Sequence, residues 1–369
     1  MSGNSDDLGQ KKENEPVEGE EPPTPGGWKD YPLDALAIRD ERRTAQDVVR
    51  RVEQGRFVLD PDFQRGFVWD PQKQSRLIES ILMRIPLPVF YVAEDSEGRL
   101  VVVDGQQRLT TLSRFFSGEL TLKLRERKEL HGKTFEKLDP WLQNRLEDCQ
   151  LHFYIIDHSV PERARLDIFE RVNGGEVLTR QQMRNALYNG PATKFLKMEA
   201  ENPLFIQATG GSLDPKKMKD REFVNRFCSF SLLDHEEYKG DMDEWLASGL
   251  LNLAKLDDNG RRELGEKFRR GIKNNLLVFG KHAFRKHRNE DQPRTLINAS
   301  LFDVMVTGLS NVDERIVMDK SGDLRKSFYR LLENERFVRS ITYGTNALKE
   351  VRTRFTMATD IFSEVFDAP

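Results

Sequence analysis

The sequence predicts an α+β protein, with a small mixed sheet in an N-terminal domain and a mainly α-helical region behind it. Two observations carry this. Short β-branched and aromatic runs (Phe57-Val58-Leu59, Val89 to Val92, Leu100 to Val103, Leu151 to Ile156) alternate with helical patterns up to about residue 190. From 192 onward helical spacing is almost the only periodicity: Leu264, Phe268, Ile272 and Leu276 recur every four residues, and Val351, Phe355, Ala358, Phe362 and Val365 at alternating steps of four and three. A third observation sets off the N-terminus, since residues 1–27 are rich in Pro, Glu and Gly and hold no aromatic residue. Such a segment buries too little apolar surface to offset chain entropy. The predicted organisation is a disordered acidic tail over 1–27, a domain over 28–191 and a helical domain over 192–369, with order starting at Trp28 or Tyr31.

Taken in order, Thr44 can cap a helix carrying Val48, Val49 and Val52 that ends at Gly55. Asp60-Pro61-Asp62 terminates the Phe57 run and leads into Phe63-Gln64-Arg65-Gly66-Phe67-Val68-Trp69, aromatic residues mixed with a polar pair. Asp70 caps the next helix with Pro71 at its first position, and Leu77, Ile78, Ile81 and Leu82 form its buried face. Pro86-Leu87-Pro88 ends that helix and launches the strand at Val89, and the turn Asp95 to Gly98 makes a hairpin into the strand at Leu100. A helix follows from Gln106 to about 117, short helices lie at 135–147, and a strand runs from Leu151 to Ile156. Pro161 starts a helix that Asn173-Gly174-Gly175 stops, and Thr179 caps another through Leu187. Asp257-Asp258-Asn259-Gly260 marks an inner break in the helical region.

Charge and cysteine usage exclude several classes. The net charge of -3 conceals a tail with seven acids against Lys11 and Lys12, a balance of -5 that leaves +2 on the remainder. The folded part is thus near neutral, and any basic site on it must be local. Cys149 and Cys228 are too few for a disulfide framework or a zinc cage. No apolar run approaches the roughly 18 residues of a membrane span, and the acidic N-terminus is wrong for a signal peptide. The expected compartment is the cytoplasm. An acidic tail occupying a basic groove is the functional alternative to disorder over 1–27.

Leu100 to Leu112 is the stretch with the most chemistry in it. A buried strand runs into Asp104-Gly105, and a helix opens at Gln106. Strand, glycine turn and fresh helix N-terminus present unpaired N–H groups at the positive end of a helix dipole, which suits phosphate. Arg108 adds a fork-shaped cation, and Asp104 a carboxylate able to hold Mg²⁺ or a ribose hydroxyl. Other motifs fail. Gly132-Lys133-Thr134 lacks the upstream glycine of a phosphate-binding loop, since position 127 is Arg. His282 and His287, in a basic and helical-looking run from Lys281 to Arg288, are five apart and do not share one helical face as a metal pair would. That run reads as a solvated or phosphate-facing strip. Trp69, Trp141 and Trp245 read as core or interface residues.

Three segments together carry a resemblance: Phe63-Gln64-Arg65 with Val68-Trp69; Val103-Asp104-Gly105-Gln106-Gln107-Arg108-Leu109-Thr110-Thr111-Leu112; and Phe169-Glu170-Arg171-Val172-Asn173-Gly174-Gly175 with Leu178-Thr179 and Arg184-Asn185-Ala186. In this order and spacing they resemble the N-terminal-domain family of GmrSD-type restriction endonucleases, over about 40–230 because Arg221 to Phe227 also resembles a recurrent helix of such proteins. The resemblance implies a ParB/sulfiredoxin-like fold and nucleotide binding and hydrolysis within bacterial anti-phage systems that act on modified DNA. It places Asp104, Gly105, Gln106, Gln107, Arg108 and Thr110 in a nucleotide site, closed by Gln64 and Arg65 from the first segment and Arg171 and Asn173 from the third. Many such systems carry an HNH-like nuclease domain, which 192–369 lacks, so a separate nuclease subunit is an expected partner.

The expectation is therefore a sensor or regulator in a modification-dependent restriction system that binds a nucleoside triphosphate and hydrolyses it slowly with Mg²⁺. Phosphate would lie over the amides at 105–108 with Arg108, Arg65 and Arg171 around it. Asp104 would position Mg²⁺, and Gln106 or Gln107 the attacking water. Two rivals stand beside it. One is a DNA-binding module without turnover, using the basic runs Arg261-Arg262, Lys267 to Lys273 and Lys281 to Arg288. The other is a DNA nuclease or nickase using the same Asp and Arg cluster. Self-association into a homo-oligomer is compatible with each.

Overall fold

The structure is a computed structural model that describes residues 16–19, 37–59, 69–95, 97–172 and 178–367. The chain divides into two compact units, one of residues 25–189 and the other of residues 1–24 with 190–369. As the sequence predicts, the class is α+β: the first unit is built on a five-stranded mixed sheet, and the second is helical.

In the first unit the elements run β1 (Ile38–Thr44), α1 (Ala45–Glu53), β2 (Phe57–Val58), α2 (Pro71–Leu82), β3 (Phe90–Glu94), β4 (Leu100–Asp104), α3 (Gln106–Phe116), α4 (Pro140–Glu147), β5 (Gln150–Ile156), α5 (Glu162–Val172) and α6 (Arg180–Leu187). The sheet order is β1-β5-β3-β4-β2, with β1/β5 and β3/β4 antiparallel and β5/β3 and β4/β2 parallel. Alternation along β4 distributes its side chains between two cores. Leu100 and Val102 join Phe90, Phe153 and the inner faces of α1, α2, α3 and α4. Val101 and Val103 pack instead with Phe169, Met183 and Leu187 of α5 and α6. A strand buried on both faces explains why residues 100–103 read as a continuous apolar run.

The local signals act as their chemistry requires. Thr44 Oγ1 accepts from the Asp47 amide, Asp70 Oδ1 accepts from the amides of Gln72 and Lys73 ahead of Pro71, and Thr179 forms a capping box with Gln182. Asp95 closes the β3–β4 turn by accepting from the amides of Glu97 and Arg99.

β1 departs from the sequence reading, which has no strand before Thr44. Ile-Arg-Asp-Glu-Arg-Arg-Thr shows no apolar alternation, yet it pairs along its full length with β5, from Ile38 opposite Ile156 to Thr44 opposite Gln150. It is an edge strand, where charged side chains are favoured because they discourage pairing with other chains. Its register supplies what hydropathy cannot, for instance Asp40 opposite Tyr154 and hydrogen-bonded to the His152 ring.

In the second unit the helices are α7 (Pro191–Ala200), α8 (Pro203–Thr209), α9 (Lys219–Leu232), α10 (Met242–Lys255), α11 (Asp258–Phe279), α12 (Ala299–Leu309), α13 (Glu314–Asp319), α14 (Ser321–Glu333), α15 (Glu335–Ser340) and α16 (Leu348–Phe366). Asp257 caps α11 at the break that the sequence marks. Phe205, Phe223, Phe227, Phe268 and Phe302 form a continuous aromatic core. Beside it Asp303 of α12 binds two buried guanidiniums. Arg226 donates from Nε to Oδ1 at 2.8 Å and from Nη2 to Oδ2 at 2.7 Å, and Arg354 donates to Oδ2 at 3.0 Å.

The basic runs are corrected by their surroundings. Lys281 to Arg288 is not one helix: a single 3-10 turn ends at His282, Phe284 takes a φ of 61°, and Arg285 pairs in a short bridge with Ile297. His282, Arg285 and His287 are buried, with Arg285 donating to the Thr209 carbonyl at 2.7 Å. Along α11, Arg261 pairs with Asp258, Arg269 with Glu199, and Lys273 with Glu314. The interior of 281–288 is therefore not a solvated strip, while Lys281 and Arg288 at its ends and Arg262, Lys267, Arg270 and Lys273 on α11 are exposed. Of the two roles expected for Trp141, the core one is excluded, since it lies 57% exposed under the Arg145 guanidinium. No helix among the described residues is long and apolar enough to cross a membrane. The tail over 1–27 lies outside the described residues except for Pro16 to Gly19, which are ordered against the helical unit.

Candidate functional site

The chemistry-bearing stretch sits where β4 ends and α3 begins. Gly105 is the N-cap of α3 with φ of 99°, a left-handed conformation that a residue with a Cβ resists. Space imposes the same choice, since a Cβ here would lie 2.3 Å from Cδ1 of Phe90. Phe90 itself is fully buried and stacked on Phe153 at 5.0 Å. Gly105 offers no side chain to cap the first turn of α3, whose first amides have no partner within the helix.

Arg108 is turned inward rather than out. Its guanidinium lies 4.2 Å above the Phe90 ring and donates to the carbonyls of Pro88 and Val89 and, at 2.8 Å, to Asp104 Oδ2. Burial pushes its pKa down, and the facing Asp104 carboxylate offsets part of that. It therefore ties the β4–α3 turn to the segment entering β3, with its charge already shared. Asp104 keeps about a third of its side chain exposed.

Both residues floor a groove of about 610 Å³. One wall is the exposed face of α2, with Trp69, Lys73, Arg76 and Ser80, and the other is Ile85 to Pro88; Val172 at the end of α5 closes one corner. Lys73 lies 4.7 Å over the Trp69 ring. Lys73 and Arg76 are the cations the sequence reading misses. They are three residues apart on one helix, so both project over the floor. The signal was present in the Asp70-Pro71 cap, which fixes the phase of α2.

The remaining candidates divide. Gln106 faces away from the groove, lining a cavity of about 20 Å³ with Val101, Phe169 and Met183. Gln107 Oε1, Thr110 Oγ1 and Ser113 Oγ form a stripe of buried side-chain oxygens along α3 with no hydrogen-bond partner among the described residues. Arg171 is exposed at the end of α5, next to Val172 on the groove. Gln64, Arg65 and Asn173 lie outside the described residues. The structure therefore brings Asp104, Gly105 and Arg108 together with Lys73 and Arg76, and places Gln106 elsewhere.

Residues 45–189 match the family described as GmrSD restriction endonuclease, N-terminal domain. The first unit is a GmrSD N-terminal domain. The match begins at the first residue of α1 and ends where the compact unit ends, so the groove and both cores belong to the GmrSD domain while the helical unit lies beyond it. An uncharacterized protein of Methanocaldococcus jannaschii is 29% identical over 101 residues, which cover 21% of this chain and 17% of that protein. No solved structure matches the chain.

As a metal site the groove offers, among the described residues, the carboxylate of Asp104, which suits Mg²⁺ held chiefly by phosphate oxygens and water. Only the oxygen that Arg108 does not occupy is available for it. Anion binding fits better, since two exposed cations, Lys73 and Arg76, border one concave surface beside the start of α3.

Proposed function

We propose that the GmrSD domain binds a nucleoside triphosphate in the groove at the start of α3, and that the chain acts as a nucleotide-dependent sensor or regulator in a modification-dependent restriction system. The observation that carries this is the meeting of Asp104 and Arg108, on either side of the Gly105 cap of α3, with Lys73 and Arg76 around one groove. Its volume lies within the range of about 300–1,000 Å³ usual for small-molecule sites. Trp69 offers an aromatic face for a base, and the positive end of the α3 dipole favours phosphate. The ParB/sulfiredoxin-like relationship belongs to the same reading: phosphate at a strand–glycine–helix turn of a small mixed sheet.

The reading differs from the sequence expectation in the cations. Lys73 and Arg76 take the phosphate charge, and Arg108 holds the turn in shape from behind. Asp104 then contributes to a phosphate-bound Mg²⁺ by placing its carboxylate at the floor. Among the described residues neither glutamine lines the groove: Gln106 lines the small cavity toward α5 and α6, and Gln107 Oε1 is buried. A single carboxylate among the described groove residues fits slow hydrolysis.

Titration calorimetry of the wild type and of Lys73→Ala, Arg76→Ala and the double variant, with each of the four ribonucleoside triphosphates and Mg²⁺, tests this. Each lost charged hydrogen bond removes about 1.5–3 kcal/mol, roughly ten- to a hundredfold in affinity. Both side chains are exposed, so the variants fold. Chelating Mg²⁺ should abolish phosphate release and weaken binding. Unchanged affinity in the double variant would remove the groove from the mechanism. The DNA-binding reading stays a second one: Arg261, Arg269, Lys273 and Lys286 are in ion pairs, while Arg262, Lys267, Lys281 and Arg288 remain exposed. A gel-shift salt titration with no binding at low salt would remove it.

A further inference from the structure

We propose that the helical unit carries an extended-peptide site specific for glutamate followed by glycine, and that Glu18-Gly19 of the same chain occupies it in cis. This is independent of the nucleotide reading, since it uses none of the groove residues. The receptor is the pair of bridge residues Ile297-Asn298 before α12. Its outer side is already taken, with the Asn298 amide donating to the Phe284 carbonyl and Arg285 bridging Ile297. The tail adds on the other side as a parallel bridge. The Glu18 amide donates to the Ile297 carbonyl at 2.8 Å, and the Ala299 amide donates to the Glu18 carbonyl at 3.0 Å. Main-chain pairing of this kind gives affinity, and side-chain pockets give the selection.

Selection comes from two further features. Lys286 Nζ donates to Glu18 Oε1 at 2.6 Å while also donating to Thr342 Oγ1 at 2.6 Å, so the ammonium is held in place for a carboxylate. The next residue must be glycine. Gly19 has a φ of 77°, and a Cβ on it would stand 3.0 Å from the Ile341 carbonyl oxygen and 3.3 Å from the Asn298 side chain. Asn298 cannot retreat, because it is fully buried, donates to Ile341 O at 2.8 Å and caps α12 through Leu301. Thr345 Oγ1 completes the site by donating to the Gly19 carbonyl at 2.6 Å.

Backbone, charge and a glycine-only position are thus each matched within two residues of a tail that has no core of its own. Generic attraction of an acidic segment to lysines requires only the charge.

Hydrogen exchange read by mass spectrometry on the full chain tests the proposal at the Glu18 and Ala299 amides. Both should exchange at least tenfold more slowly than an unstructured segment, independently of protein concentration. Lys286→Glu should speed both, Glu18→Lys with Lys286→Glu should restore them, and Gly19→Ala should speed both. Added to the Gly19→Ala protein, a synthetic peptide of residues 13–22 should slow Ala299 again, and the same peptide carrying alanine at position 19 should not. Exchange of Glu18 at the unstructured rate in the wild type would overturn the site. So would failure of the wild-type peptide to slow Ala299. Protection that is lost on dilution would assign the occupant to a second copy and overturn the cis arrangement.

Discussion

Replacing Gly105 with alanine isolates what the turn between β4 and α3 demands. Two penalties arise, and the structure separates them. Alanine at φ of 99° pays the left-handed backbone penalty, about 1–2 kcal/mol. Its Cβ would also meet Phe90 Cδ1 at 2.3 Å and Cε1 at 2.8 Å. Phe90 is fully buried, stacked on Phe153 and covered by Arg108, so it cannot swing aside. Displacing it adds about 1–3 kcal/mol of overpacking. The sum is about 2–5 kcal/mol, and a unit of this size loses roughly 2–4 °C in Tm per kcal/mol. Gly118→Ala is the control: φ there is 79°, but nothing lies within 4 Å of the added Cβ, so only the backbone penalty of about 1–2 kcal/mol applies. Pulse proteolysis in urea, following cleavage within 25–189, gives both values. If Gly105→Ala costs no more than Gly118→Ala, Phe90 does not wedge the turn and the packing argument fails. Nucleotide affinity should fall with Gly105→Ala and stay unchanged with Gly118→Ala.

Asp303→Asn keeps the shape of the residue but removes the buried carboxylate to which both Arg226 and Arg354 donate. The expected loss is about 3–5 kcal/mol in the urea midpoint of the helical unit, and a loss under about 1 kcal/mol would mean that water reaches the cluster. His287 lies in a stack with His282 at 4.5 Å and next to Phe328. Burial first, then the neighbouring His282 and Arg325, hold its pKa below 6.5 despite the bond to the Arg285 carbonyl. A folded-state pKa below the unfolded value gives stability that is present above about 6.5 and is lost as pH falls through the folded value. Urea midpoints at pH 7.5, 6.5 and 5.5 should therefore decline in the wild type and decline less in His287→Gln. Parallel declines would assign the acid sensitivity to other groups.

The N-terminal elements were legible because each is announced locally. Thr44, Asp70 and Thr179 are polar caps ahead of apolar faces, and the Val101 to Val103 run can only be a strand buried on both sides. The class followed from them, as did the position of Gly105, where backbone conformation and crowding agree on one residue type. β1 was not legible. An edge strand of alternating charges owes its conformation to β5, seven residues that lie more than a hundred positions away. The same holds for the basic run at 281–288. Its composition is that of a solvated surface, yet Arg285 is fully buried because the carbonyls of Thr209 and Thr295 happen to converge on it.

Local chemistry set where the site is, and tertiary structure set which side chains face it. Sequence alone located a strand–glycine–helix turn, because a hydrogen-bonded turn and a φ above zero are properties of consecutive residues. It could not show that Arg108 folds back over Phe90, that Gln106 looks toward α5 and α6, or that Lys73 and Arg76 border the groove. Those outcomes depend on the separation and angle between α2, α3 and the sheet. Such distances arise only when two apolar faces pack, and nothing in the linear order of the residues encodes them directly.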